Sequence, residues 1–229
     1  MTGHRIVSAA EWLDASRALL AEEKEFTRRS DELSRRRREL PWVKVEKDYV
    51  FDAPEGKVSL ADLFGGKGQL VVQHFMFGPD WSEGCPSCSF WTDNFIGIVP
   101  HLAHRDTAFV LVSRGPIDRL EAYRKRMGWP LRWVSSAHND FNVDFGVSAP
   151  PGAKEMAYNF GTGIEEMTEK QGFSALRRED GEIYRTYSTY ARGVDMLNGA
   201  YNLLDLTSKG RDEDGFPFPM TWVRRHDKY

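Results

Sequence analysis

The chain has 229 residues, 41% hydrophobic and 13% aromatic, enough for one sizeable core with appendages, and a formal net charge of −3 that argues against overall nucleic-acid binding. Its longest apolar runs are a few residues, far short of the roughly 20 that span a bilayer. The opening MTGHRIVSAAEW lacks an apolar signal core, so the expectation is a soluble cytoplasmic protein.

Residues 8 to 40 read as a long charged helix. Ser8-Ala9-Ala10-Glu11 has capping-box spacing, and Pro41 stops the pattern. Trp12, Leu19, Phe26, Leu33 and Leu40 recur every seven residues, one apolar residue per heptad where a coiled-coil seam uses two. This reads as a helical arm lying on its own domain or on a second subunit, and a homodimer through the arm is expected. Arg35 to Arg38 form a basic run, but Glu22, Glu23, Glu25, Asp31, Glu32 and Glu39 interleave with the basic residues. A solvated helix face fits better than a nucleic-acid site. Neither a nucleic-acid nor a membrane partner is expected.

From Val43 the period changes to two. Val43, Val45, Tyr49 and Phe51 alternate along a strand interrupted at Lys47, and Asp52 to Gly56 turns the chain into a short strand at Val58-Ser59-Leu60. Gln69 to Phe77 is nearly continuous apolar, as in a central strand covered on both faces. Trp91, Phe95, Val99 and Leu102 share a helix face, with Pro100 expected to kink it. Ala108 to Ser113 is a second buried strand, and Pro116 opens a helix through Met127 whose Leu120, Tyr123 and Met127 face inward. Leu131 to Ser135 is a third strand. Residues 149 to 172 resemble an insertion. Ser174 to Ser188 make a hairpin about Asp180-Gly181. A last helix is expected over about 193 to 208, with Val194, Leu197, Tyr201 and Leu204 inward, before an aromatic and basic tail. The order implies an α/β fold with a mixed sheet covered on both faces. The expected organisation is an arm over 1–41, a domain over 42–210 with an insertion at about 149–172, and a tail over 211–229.

Both cysteines lie in DWSEGCPSCSF, between the central strand and a helix. In a reducing compartment structural disulfides are rare, and a close pair is more often catalytic or metal-binding. Cys85 is placed at the helix start, where unpaired N–H groups and the helix dipole stabilise a thiolate, lowering its pKa from about 8.5 to between roughly 3.5 and 7.5. Pro86 in the first turn sacrifices no hydrogen bond. Cys88 sits one turn on and leads into Trp91 and Phe95, so it should be the more buried thiol. Asp80 and Glu83 would oppose thiolate formation. A zinc site needs four ligands, and His101 would lie about 20 Å along the same helix at 1.5 Å per residue. Neither a metal nor a cofactor is expected. Cys-x-x-Cys at a strand–helix junction points instead to a redox dithiol.

VFDAPEGKVSLADLFGGKGQLVVQHFMFGPDWSEGCPSC resembles the thioredoxin-like superfamily as found in peroxiredoxins and TlpA-type thiol reductases. Together, EWLDASRALLAEEKEFTRRSDEL, LPWVKVEKDYVF, HFMFGPDWSEGCPSCSFWTDNF and DFNVDFGV more closely resemble the thioredoxin-like family catalogued as domain of unknown function 899, whose members are labelled predicted dithiol-disulfide oxidoreductases. The resemblance implies a thioredoxin-like fold and a Cys85/Cys88 thiol–disulfide cycle acting on a disulfide-containing protein, a small thiol or a peroxide. Two positions depart from the superfamily. The place matching the cis-proline of thioredoxins falls near Phe173 and Ser174, where there is no proline. Pro79, Ser82 and Cys85 give Pro-x-x-Ser-x-x-Cys, one residue short of the peroxiredoxin signature, with Arg114 as the candidate arginine. A thiol peroxidase using the same cysteines is therefore the alternative, and a non-catalytic binding module the third reading. Trp81 either covers the site or anchors its loop. His74 reads as a hydrogen-bonded core histidine, whereas His138 and His226 have no evident partner.

Overall fold

The structure, a computed structural model, describes residues 3–161 and 163–229. The chain forms two compact units, the first ending at Pro41 and the second spanning Trp42–Tyr229.

The first unit is one helix, α1 (Ala9–Arg38). Its start is closed by a reciprocal cap: the Ser8 hydroxyl accepts the Glu11 N–H at 3.3 Å, and the Glu11 carboxylate accepts the Ser8 N–H at 2.9 Å. The last turn carries Arg35 to Arg38, which complement the negative end of the helix dipole. Glu25 pairs with Arg28 and Arg29, and Arg35 with Glu32 and Glu39, so acidic neighbours answer much of the basic charge along the helix. None of the helix's residues is buried.

The second unit is built on an eight-stranded mixed sheet. In chain order its elements are β1 (Val43–Lys44), β2 (Val50–Ala53), β3 (Gly56–Ser59), α2 (Leu60–Leu63), β4 (Gln69–His74), α3 (Pro86–Thr92), α4 (Val99–His104), β5 (Thr107–Ser113), α5 (Ile117–Arg126), β6 (Arg132–Ser135) and α6 (Phe141–Asp144). A separate small hairpin, β7 (Met156–Tyr158) with β8 (Gly163–Glu165), lies within residues 149–172. The hairpin β9 (Gly172–Glu179) and β10 (Glu182–Tyr190), a 3-10 segment (Ala191–Leu197) and α7 (Gly199–Leu204) follow.

The sheet order is β1-β10-β9-β4-β5-β6-β2-β3, with β4, β5 and β6 parallel and the other pairings antiparallel. Alternation along β4 and β5 divides the core. Leu70, Val72, Val110 and Val112 meet Phe51, Phe141 and Phe145 in one cluster. Phe75, Phe77 and Leu111 meet Cys88, Trp91, Tyr123, Trp129 and Trp133 in the other. The cysteines belong to the second.

Several expected elements differ. The single strand over 43–51 is two strands on opposite sides of the sheet, β1 against β10 and β2 between β6 and β3. Lys47 pairs with Asp144 at 2.7 Å, and the Tyr49 hydroxyl donates to the same carboxylate at 2.6 Å, drawing the intervening chain out of any one ladder. Leu60 belongs to α2, because Ser59 and Asp62 form a capping box there. Pro100 does not kink a helix. It sits in the first turn of α4, after α3 has ended at Thr92, where its missing N–H costs nothing. The expected last helix is broken at Asn198, whose side chain accepts the Tyr201 N–H at 3.0 Å and starts α7 afresh. The Asp180-Gly181 turn forms with φ of 51° and 85°, as a two-residue hairpin loop of this type requires. His138 and His226 do have partners: their Nδ1 atoms lie 2.8 Å from Asp52 and from Asp93. No helix among the described residues is long and apolar enough to cross a membrane.

Candidate functional site

The dithiol site grows from the end of β4. The Phe75 N–H still donates to the Val112 carbonyl at 3.0 Å, so the chain stays in register with β5 past His74. It then loops through residues 78–84 and returns as α3. Met76 marks the return point, since its carbonyl accepts the Cys85 N–H at 3.1 Å and its N–H donates to Cys88 Sγ at 3.4 Å. One residue of the strand end thus holds both cysteines.

The loop is shaped by two glycines. A Cβ on Gly78 would come within 2.8 Å of the Trp81 indole, and one on Gly84 within 2.7 Å of Phe75 and 2.9 Å of Tyr123. Trp81 is half-buried over Gly78 and packs on the same core cluster as Cys85. Arg119 ties the loop from outside, donating to the carbonyls of Pro79 at 3.0 Å and Trp81 at 3.3 Å. Ser82 is exposed.

Cys85 is the N-cap residue of α3, with Pro86 in the first turn. It is half-buried, whereas Cys88 is fully buried, and both are free thiols. The Cys85 thiol is lowered to about 7, first by a hydrogen bond from the Cys88 thiol and then by the N–H groups of Cys88 and Ser87 and the Ser87 hydroxyl; burial opposes them. Cys88 is pushed well above the usual thiol range by burial and by the neighbouring Cys85. Its sulfur lies 3.7 Å from Gln171 Oε1, a weak acceptor to which the single S–H can turn in place of Cys85. Gln73 donates to the Cys88 carbonyl at 3.3 Å and accepts from Thr92 at 3.1 Å, fixing the first turns of α3 from beneath. On the other side Ser89 donates to the Cys85 carbonyl at 2.9 Å and meets the Tyr123 hydroxyl at 2.9 Å.

The carboxylate of Glu83 is not left free to oppose the thiolate. The guanidinium of Arg126 holds it below the usual range, and Arg225 pairs with it at 2.9 Å. Arg225 comes from the C-terminal tail. It donates to the Gly84 carbonyl at 3.2 and 2.8 Å and to the Tyr123 hydroxyl at 3.0 Å. Trp222 stacks edge-on against Phe90 of α3 at 5.6 Å, and Asp227 pairs with Arg126 at 2.7 Å. The tail is therefore part of the wall around the cysteine loop.

The residues expected near the thiols separate. Phe173 packs into the cysteine-side cluster against Phe95, at 5.6 Å. Ser174 points to the opposite face, where it meets His74 Nε2 and the Ser188 hydroxyl, each at 2.8 Å. Gln171, just before β9, is the residue that reaches Cys88. No peptide bond among the described residues is cis. Arg114 is committed to Glu169 at 3.1 Å and to the Ala149 carbonyl at 3.0 Å. His101 and His104 lie on α4, a different helix from the cysteines. Sequence reasoning did not single out Gln171 or Arg225. The first stands 83 residues from Cys88 and the second 141 from Gly84, and no local pattern links them.

Chemically, the site offers a partly accessible thiol that ionises near neutrality and a sheltered thiol one helical turn away. Those are the parts of a reversible dithiol–disulfide couple.

The chain resembles solved structures of thioredoxin fold. The crystal structure of peroxidoxin BcpB from Mycobacterium tuberculosis matches at 15% identity with a TM-score of 0.50, over 74% of this chain and 99% of that one. A cysteine-to-serine mutant of Xylella fastidiosa PrxQ matches at 12% identity and 0.46, over 71% and 95%. A cysteine-to-serine mutant of Xanthomonas campestris peroxiredoxin Q matches at 13% and 0.47, over 72% and 98%. At such identities the likeness is one of fold, and the fold is thioredoxin-like. No curated protein sequence matches the chain at a significant level. The model of a family described as bacterial protein of unknown function (DUF899) matches residues 1–229, and the chain belongs to that family.

Proposed function

We propose that this protein is a thiol–disulfide oxidoreductase cycling Cys85 and Cys88 between dithiol and disulfide. The observation that carries the reading is the asymmetry of the two thiols. Cys85 is the N-cap residue of α3, keeps part of its surface open and is lowered to about 7, while Cys88 is wholly buried and raised.

The Cys85 thiolate attacks one sulfur of a substrate disulfide, forming a Cys85–substrate disulfide and releasing the other sulfur as a thiolate that takes up a proton. Cys88 then loses its proton and attacks Cys85 Sγ, releasing the second substrate thiol. Two electrons pass to the substrate and the protein keeps a Cys85–Cys88 disulfide. The Cys88 proton is held by burial and, until Cys85 is bonded, also by the Cys85 thiolate, which disfavours a second negative charge beside it. The substrate is a disulfide-containing protein or small disulfide, and the setting a reducing one such as the cytoplasm.

Peroxide reduction would use the same thiols through a sulfenic acid. Less supports it, because Arg114 is bound to Glu169 and Ser82 is exposed. The test compares insulin-disulfide reduction with peroxide consumption by the full-length protein. Disulfide reduction abolished by Cys85→Ser, with a trapped mixed disulfide in Cys88→Ser, is the expected result. Peroxide turnover without disulfide reduction would replace this reading with the peroxidase, and a double serine variant that retains full function would remove both.

A further inference from the structure

The strongest unexplained feature outside the dithiol site is the apolar line on α1. Trp12, Leu19, Phe26, Leu33 and Leu40 are 64%, 57%, 73%, 46% and 44% exposed, on a helix with no buried residue. We propose that two copies of this chain associate through antiparallel α1 helices, with Phe26 at the two-fold axis. The inference is independent of the dithiol chemistry.

The spacing carries the geometry. The five apolar residues are evenly spaced and symmetric about Phe26. Laid antiparallel, Phe26 of one copy meets Phe26 of the other, Leu19 meets Leu33, and Trp12 meets Leu40, just past the helix end. This is the self-complementary contact that a closed two-fold dimer requires. A strict seven-residue recurrence drifts about 20° per heptad around a straight helix, so it stays on one line only when two helices wrap left-handedly.

Charge chooses the direction. Residues 9–25 hold five acidic and two basic side chains, whereas residues 26–39 hold six basic and three acidic. An antiparallel pair sets each acidic half beside a basic half. A parallel pair would set like beside like. The line is thin, so the contact falls at the small end of specific interfaces, below about 1,200 Å², and the dimer should dissociate on dilution.

The test uses the full-length protein in a Cys85→Ser/Cys88→Ser background, with Leu19→Cys and Leu33→Cys variants oxidised alone and mixed. Mixing should give the 19–33 cross-link in preference to 19–19 or 33–33. Light scattering at about 100 µM should report a dimer, weakened at least about tenfold by Phe26→Glu and retained by Phe26→Leu, with helical signal unchanged. Dominant 19–19 and 33–33 products would mean a parallel pair and overturn the proposal. So would a monomer at that concentration, or a dimer indifferent to Phe26→Glu, which would place another surface in the contact.

Discussion

The Met76 N–H donates to Cys88 Sγ at 3.4 Å, so the buried thiol is fastened to the same residue of the strand end that receives the Cys85 N–H. The two sulfurs are held in fixed relation while only Cys85 is partly open to solvent. Alkylation should therefore separate them. In Cys88→Ser, modification of Cys85 should rise with pH through a midpoint above the wild-type value of about 7, since the thiolate is the reactive form and the Cys88 thiol hydrogen bond that most lowers it is gone. In Cys85→Ser, Cys88 should react roughly 100-fold more slowly until denaturant is added, its thiol being buried and raised. A pH series with iodoacetamide checks both, and a faster Cys88 would reverse the roles of the two thiols.

Arg225 should prove a positioning residue for the cysteine loop. Its guanidinium spans the Gly84 carbonyl, the Tyr123 hydroxyl and the Glu83 carboxylate, and its side chain is only 19% exposed. Arg225→Ala strands these groups and should cost about 1–3 kcal/mol in stability. Arg225→Lys should recover part of it, because an ammonium cannot reproduce the fork. Denaturant titration gives the stability. The Cys85 alkylation profile distinguishes the roles, since positioning shifts its midpoint and general stabilisation does not.

Gln171 should matter to the second chemical step more than the first. It meets Cys88, and among the described residues it makes no hydrogen bond to Cys85. Gln171→Leu removes the acceptor beside the buried thiol while keeping most of its volume. On the proposed mechanism, the mixed disulfide should form at the wild-type rate and be resolved several-fold faster, because Cys88 loses an acceptor that stabilises its protonated form and opposes its ionisation. Rapid-quench mass spectrometry separates the two rates. Equal slowing of both would make the residue merely structural.

His74 should sensitise the fold to acid. Burial lowers it from 6.5 to about 3, and it sits stacked near Phe141 and Phe145. The folded state keeps it neutral while the unfolded chain protonates it below about 6.5, so stability is complete above that pH and falls between 6.5 and about 3. At pH near 5, His74→Gln should take up about one proton fewer on unfolding than the wild type, read from the pH dependence of unfolding free energy. An unchanged slope would show that His74 titrates normally.

Much of this molecule is legible locally. The Ser8–Glu11 cap, Pro86 after Cys85, the Asp180-Gly181 turn and the apolar run of β4 each depend on residues a few positions apart, and each forms where the sequence places it. The α/β order of strands and helices in a mixed sheet follows from such local signals, as does the one-turn separation of the cysteines, while the thioredoxin-like fold is what the family resemblance implies.

What tertiary structure decided joins distant residues. Lys47 and Tyr49 share Asp144 and split a strand that alternation alone makes continuous. Gln171 fills the place beside Cys88 that counting back from the Asp180-Gly181 turn puts two residues later. Register across β9 and β4, rather than distance from the turn, determines which side chain faces the thiols. Arg225 reaches Gly84 only once the tail has folded against α3 and α5. Local conformation is selected by a residue's own sterics and its nearest hydrogen bonds, which sequence displays directly. The neighbours of a buried thiol are selected by how the whole core packs, and that is set by all the elements at once.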